Sequence, residues 1–199
     1  SRAIMQVISI SISFGKISSI LKPRSWTNTA KPTRCMDSIE VRIATEADIP
    51  LIHDLAHRIW PVAYAEMISR EQMDYMLEWM YAPDALRSQM TDEGCAFFIA
   101  THAEVPVGFA SVSMDGSQAK LNKLYVLVDR HGKGMGKALL KAAMEHARKN
   151  GCAEMMLQVN KRNVAQAFYS AQGFSIAEEA VFDIGRGFVM DDYIMRRSL

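Results

Sequence analysis

The sequence predicts an α/β domain, and three observations carry that reading. Strand-type and helix-type segments alternate from Ser38 onward. A short β-branched and aromatic run at residues 124–128 breaks at Gly132 into three glycines at alternate positions, then into a helical run at 137–144. About thirty residues further on, a separation that fits one crossover unit, residues 155–159 read as another strand.

Residues 1–36 stand apart from that pattern. They carry Arg2, Lys16, Lys22, Arg24, Lys31 and Arg34 but no Asp or Glu, and Ile alternates with Ser from Ile8 to Ser13. A basic, acid-free leader is either an organellar transit peptide or upstream sequence outside the native domain, with Met36 as the domain's own start. The second is the expectation here, and the Ile/Ser alternation also suits an extra edge strand. Residues 37–199 are then one domain.

Within that domain residues 39–44 read as a strand. Asp48 suits a helix cap with Pro50 in the first turn, where a missing N–H costs little, and Ile52, Leu55, Ala56 and Ile59 share one face. Ser69 with Gln72 forms a capping-box pattern before Met73, Met76, Leu77 and Met80. Residues 96–101 and 105–113 read as strands joined by a tight turn at Ala103 and Glu104. Residues 121–128 form the strand that feeds the glycine turn. The helix at 135–150 keeps Leu139, Leu140, Ala143, Met144 and Ala147 on one face and stops at Gly151. Residues 180–183 and 189–195 complete the pattern with two late strands.

Composition narrows the function classes. At 199 residues the chain can bury a substantial core. Its formal net charge of +1 gives no reason to expect nucleic acid or membrane as a partner. No apolar run approaches the length of a membrane span, and the expected location is the cytoplasm. The three cysteines, Cys35, Cys95 and Cys152, lack metal-type spacing, and their odd number argues against a disulfide framework.

The glycine turn carries the chemistry. The first N–H groups of a helix have no intrahelical partner, so a strand, a glycine-rich turn and a helix start in that order make an anion site suited to phosphate. Two common phosphate motifs fail. A nucleoside-triphosphate loop would place its first glycine at His131 and its magnesium-binding hydroxyl at Ala138. A dinucleotide fingerprint starting at Gly132 and Gly134 would need its third glycine at Lys137.

A second block decides between the remaining phosphate ligands. Asn163, Ala165, Phe168-Tyr169 and Gly173-Phe174 follow the strand at 155–159, and His131-Gly132-Lys133-Gly134-Met135-Gly136 precedes it. With these two blocks in this order the chain resembles the GNAT superfamily of acetyl-CoA-dependent N-acetyltransferases across roughly residues 39–199. It departs from the common pattern by having His131 where Gln or Arg is usual and one residue fewer between Asn163 and Phe168. The run 183–193 also resembles one bacterial branch of the superfamily. The resemblance implies a mixed central sheet of about six or seven strands flanked by helices.

It also implies roles for particular residues. The backbone of Leu124, Tyr125 and Val126 would pair with the pantetheine arm. The pyrophosphate would lie over the amides of His131, Gly132, Lys133, Gly134, Met135 and Gly136, with Lys133 and Lys137 adding positive charge. Asn163 would bind the cofactor arm near its carbonyls. Tyr169 would be the general acid, because thioester aminolysis expels a thiolate that a nearby phenol can protonate. Phe168 reads as core.

The base is not identified at this level. Glu66, Asp115, Asp191 and Asp192 are the candidate carboxylates, each read as a solvated surface group; Asn122 is a plausible hydrogen-bonder, and the His131 side chain reads as exposed. His53 and His57 lie one helical turn apart, but Asp54 stands where a metalloprotease needs Glu and no third ligand appears, so no metal is expected. Trp60, Tyr64, Tyr75, Trp79 and Tyr81 fall in the segment that lines the acceptor pocket in GNAT folds; most read as core, with one or two left to face an amine.

The function expected is transfer of an acetyl group from acetyl-CoA, used as cosubstrate, directly to a primary amine of a small molecule. Glu66, Glu71, Asp74 and Glu78 suit a cationic acceptor. Acetylation of a protein N-terminus or lysine is the second reading, and a non-catalytic acyl-CoA sensor the third; retention of Tyr169 and of the glycine turn ranks the sensor last. A homodimer is compatible with all three.

Overall fold

A computed structural model describes residues 38–199 together with the two-residue strand Ile8–Ser9. The rest of the leader, and with it the transit-peptide reading, lies outside the described residues. In chain order the elements are β1 (Ile8–Ser9), β2 (Ile39–Ile43), α1 (Ile49–Ala63), α2 (Arg70–Tyr81), α3 (Pro83–Thr91), β3 (Ala96–His102), β4 (Val105–Asp115) and β5 (Gln118–Val126). They continue with α4 (Met135–Lys149), β6 (Glu154–Asn160), α5 (Ala165–Ala171), β7 (Ser175–Gly185) and β8 (Phe188–Ser198).

The strands form one mixed sheet in the order β2-β3-β4-β5-β6-β8-β7, with β1 added beside β5. Among the described residues only the β5–β6 and β1–β5 pairs are parallel. Strand alternation sends neighbours to opposite faces. Phe98, Ala100, Leu124 and Val126 meet α4 and α5 on one side, while Phe97, Ile99, Phe109 and Tyr125 meet the α1–α3 layer on the other. The apolar stripe of α4, Leu139, Leu140, Ala143, Met144 and Ala147, is fully covered by the sheet. Truncating a Leu of that stripe to Ala would cost about 2–5 kcal/mol.

Several local expectations are corrected by tertiary contacts. Asp48 occupies the position before α1 but does not cap it; its carboxylate accepts from Arg42 at 2.6 and 2.8 Å and from the Thr45 amide at 2.9 Å. Arg42 holds it well below the usual carboxylate range, at about 2. Ser69 does cap α2, accepting from the Gln72 amide at 3.1 Å. The reciprocal half of that box is lost, because the buried Gln72 side chain donates to Met190 Sδ instead.

The strand at 121–128 starts earlier, at Gln118, and ends at Val126, since Val128–Arg130 winds into a 3₁₀ turn. Helix α3 was not expected at all; Pro83 opens it. It is tied to β5 by Gln89, which donates to the Met80 carbonyl at 2.9 Å and accepts from the buried Lys123 at 2.7 Å. The two late strands are longer than read and make one hairpin, β7–β8, closed at Arg186 and Gly187. The Ile/Ser alternation does contribute a strand, yet not at a sheet edge: Ile8 and Ser9 pair with Lys123 and Leu124 in the middle of the sheet.

Candidate active site

The middle of the sheet is where the site forms, because β5 and β6 pair over a short stretch only. Gln118, Ala119 and Lys120 face Glu154, Met155 and Met156, and no pairing follows although β5 runs on to Val126 and β6 to Asn160. The two strands therefore part from Leu121 and Leu157 onward, and within the gap the short strand β1 takes the edge of β5 at Lys123 and Leu124. On the other flank β4 stays tight against β5. Gly108 makes this possible, since a Cβ there would lie 2.3 Å from the Tyr125 carbonyl oxygen.

Beyond Val126 the chain turns sharply into α4. The Leu127 amide donates to the Val107 carbonyl at 2.8 Å, and His131 Nε2 sits 2.8 Å from the Val126 carbonyl, so the proton of that ring must be on Nε2. Hence the His131 side chain is not simply exposed; it fastens the turn to the strand end. Gly134 holds φ +87° at the helix cap, a left-handed conformation that costs other residues about 1–2 kcal/mol. With that residue turned back, the first amides of α4 point outward into an open cavity.

Leu124, Val126 and Met135 form the floor of that cavity, with Phe168 and Gln172 from α5 as its wall. Arg130, His131, Gly132, Gly134, Gly136 and Lys137 form its rim. The Tyr125 ring enters the opposite face of the sheet, which leaves its expected role to its backbone, and Lys133 is exposed between the two rim glycines. Asn163 is buried beneath α5, accepting from the Ala165 amide at 2.9 Å. Phe168, read as core, is only half-buried and lines the cavity. Arg130 and Gln172 were missed; Arg130 abuts the glycine block, which was the available signal.

Tyr169 is fully buried on α5 between Phe168 and Phe174, with ring centroids 5.1 and 5.8 Å away. Among the described residues its hydroxyl has no hydrogen-bond partner. Burial drives its ionisation far above the ordinary phenol range, so it stays protonated at neutral pH. Its charge, were it ionised, would add to the burial that already raises the Tyr64 and Tyr125 phenols on the other face. The hydroxyls of Tyr64, Tyr81 and Tyr125 neighbour each other without closing a well-formed bond, and Trp60 Nε1 and Gln158 Oε1 are likewise buried and unpartnered. Each such group costs about 1–3 kcal/mol. A cluster of them marks a place shaped for a polar visitor.

The carboxylate candidates separate clearly. Glu66 and Asp115 are exposed, and Asp191 is exposed and ion-paired with Lys161 at 2.7 Å. Asp192 overturns its reading as a surface group: it is 0% exposed and its Oδ2 has no partner. Asn122 donates to Ser113 Oγ at 2.9 Å within the core. His53 and His57 lie with ring centroids 4.0 Å apart, tilted by 40°, and bond to the backbone carbonyls of Tyr81 and His53 respectively. Among the described residues no group of three or more His, Cys, Asp or Glu is placed to hold a metal ion.

A second cavity opens between α2 and the β7–β8 hairpin. Glu71, Asp74, Glu78, Tyr75, Trp79 and Arg186 line it, with Arg70 at its mouth paired to Asp74 at 3.0 Å. Tyr75 and Trp79 are stacked, 6.0 Å apart at 12°, and the Tyr75 hydroxyl donates to the Ile184 carbonyl at 3.0 Å. The Arg186 guanidinium lies 4.5 Å from the centre of the Tyr75 ring, so this cavity already accommodates one cation. Trp60, Tyr64 and Tyr81 are core, as expected of most of the aromatics.

Comparison with known proteins agrees with this geometry. Residues 64–190 match the family described as acetyltransferase (GNAT) domain. The chain is 30% identical over 147 residues to an uncharacterized N-acetyltransferase of Mycobacterium tuberculosis, covering 73% of this chain and 94% of the relative. It is 26% identical over 159 residues to the spermidine N(1)-acetyltransferase of Thermoplasma acidophilum, covering 77% and 96%. Among solved structures, the PaiA N-acetyltransferase of Thermoplasma acidophilum in complex with coenzyme A superposes with a TM-score of 0.70 at 25% identity, over 81% of this chain and 99% of that one. Among the described residues no helix is long and apolar enough to cross a membrane.

Proposed function

The chain belongs to the GNAT superfamily of N-acetyltransferases, and from that premise we propose that it moves an acetyl group from acetyl-CoA directly to a primary amine of a small cationic molecule. One observation carries the reading. The parted strands β5 and β6 open onto the outward amides of α4, with the unpartnered Tyr169 hydroxyl beside the gap.

Each part has a task that follows from its chemistry. The outward amides of α4 and the positive helix end suit a pyrophosphate, and Arg130 and Lys137 at the rim add charge. The edge of β5 that β6 leaves beyond Lys120 suits the amides of a pantetheine arm, as one strand suits another. Strand β1 pairs with this same edge at Lys123 and Leu124, so binding of that arm displaces it. Tyr169 supplies a proton to the departing sulfur, a role for which its raised phenol ionisation keeps it in the acid form.

The acceptor class is supported by the second cavity. Three carboxylates and two aromatic rings attract a cation, and Arg186 already sits there as one. The likeness to a spermidine acetyltransferase points the same way. Acetyl-CoA binding measured by calorimetry, followed by thiol release across spermidine, shorter diamines, amino acids and a peptide with a free N-terminus, tests the whole reading. Turnover on the polyamines is the expected result. Turnover on the peptide alone would replace it with the protein-directed reading, and tight binding without turnover would favour a sensor.

A further inference from the structure

The proposed reaction requires a base, since the attacking amine is protonated at neutral pH. We propose that Asp192 is that base and that it receives the acceptor's proton on the α1–α2 face of the parted strands. The inference rests on the acetyltransferase reading above and adds a residue to it.

The register of β8 positions it. Met190 and Asp192 are two residues apart and so face the same side, the side of the α1–α3 layer. Met190 meets Gln72 of α2, and the hairpin end bearing Arg186 forms the wall of the acidic, aromatic cavity. Met190 and Asp192 thus follow one another along the face of β8 whose hairpin end borders that cavity. Opposite Asp192 stands Asn160, and two residues before Asn160 on the same face is Gln158 with its own unpartnered oxygen. At the end of α1 stands Tyr64, buried on the same face, whose phenol is raised chiefly by burial and further by the charges of Tyr169 and Asp192. A substrate amine that reached Gln158 and Tyr64 would lie between a buried carboxylate and a buried phenol.

The surroundings of the carboxylate are sparse. Asn160 Nδ2 approaches Asp192 Oδ1 at 3.4 Å, a long contact, and Oδ2 has none. The charged groups that bear on it are Asp191 on its own strand and Lys161 after β6, but Lys161 is engaged by Asp191 at 2.7 Å and by Glu179 of β7 at 2.8 Å. Burial consequently dominates and pushes the Asp192 carboxyl up to about 7, while Asn160 and Lys161 pull it back. A group titrating there gives and takes protons at neutral pH.

The step balances as follows. The Asp192 carboxylate removes one proton from the ammonium. The freed nitrogen forms the new C–N bond, the C–S bond breaks with its electron pair going to sulfur, and sulfur takes the Tyr169 proton. The surplus proton on nitrogen restores Tyr169, and Asp192 releases its own to water, so one proton leaves per amide formed.

The test compares wild type, Asp192→Asn and Asp191→Asn with spermidine and a peptide amine as acceptor probes. Wild-type kcat/KM should rise with pH through a midpoint near 7. Asp192→Asn should lose about a hundredfold or more in kcat, lose that midpoint, and bind acetyl-CoA as wild type does; Asp191→Asn should keep its rate. A folded Asp192→Asn within threefold of wild type would overturn the assignment. If that variant does not fold, Asp192→Glu keeps a carboxylate, and a shifted midpoint supports the base whereas an unchanged profile refutes it.

A second readout needs no substrate. The native carboxyl binds its proton more tightly than the unfolded one, near 3.8, so wild-type stability should fall as pH rises from about 4 to 7 and Asp192→Asn should lack that slope. Turnover with no such slope would count against Asp192 alone. Absence of turnover on every amine, with the slope intact, would instead remove the acetyltransferase reading and the base along with it.

Discussion

The two sides of the parted strands are built from different materials. On the α4 side the site is mostly backbone: the edge of β5 that β6 leaves, the turn held by Gly134, and the first amides of a helix. On the α1–α2 side it is side chains drawn from distant segments, with Tyr64, Tyr125, Gln158 and Asp192 brought together in the interior. A backbone site fixes what it binds through geometry common to many sequences. A side-chain site can be retuned residue by residue, so specificity for the acceptor resides there.

That contrast can be broken most sharply at Tyr169, where the two sides meet. Tyr169→Phe should lower kcat by about 10²-fold or more with unchanged acetyl-CoA affinity; calorimetry alongside steady-state rates checks both halves. Full activity would end the general-acid role. Gly134→Leu attacks the backbone side alone. A side chain strained at the left-handed cap and standing on the cavity rim should weaken acetyl-CoA binding about tenfold or more, and unchanged affinity in a variant with native circular dichroism would remove the phosphate cradle.

Smaller effects sharpen the acceptor side. Trp79→Ala removes one ring of the stacked pair and should raise KM for spermidine by about two- to thirtyfold, the range of a cation–π contact, with kcat little changed. A fall in kcat at constant KM would place the amine elsewhere. The mildest expected change comes from removing residues 1–36. Because β1 pairs with β5 at Lys123 and Leu124, its loss should tighten acetyl-CoA binding a few-fold, and equal affinities in calorimetry would mean that the strand yields without cost.

The same contrast explains what the sequence made legible. Glycines at 132, 134 and 136 mark a backbone requirement and sit within a few residues of one another, so the phosphate side and the strand before it could be read directly. Nothing local distinguishes Asp192 from Asp191. One is interior and the other paired with Lys161 only because β6 and β8 lie side by side in that register. Gln72 follows the capping rule with its backbone and departs from it with its side chain, because Met190 offers a buried partner. The β7–β8 hairpin was read short for another reason: residues 175–179 of β7 are exposed, so no apolar alternation announces them. Helix α3 was hidden by a weak apolar stripe, of which Leu86 is the buried anchor.

The parted strands also govern traffic. The cavity beside α4 and the cavity beside α2 lie on opposite faces of the sheet. Each substrate has its own door, and neither stands in the other's way out. Under the proposed function such a layout predicts a sequential kinetic scheme through a ternary complex, seen as intersecting double-reciprocal lines, with the acetylated amine and the free thiol departing in opposite directions.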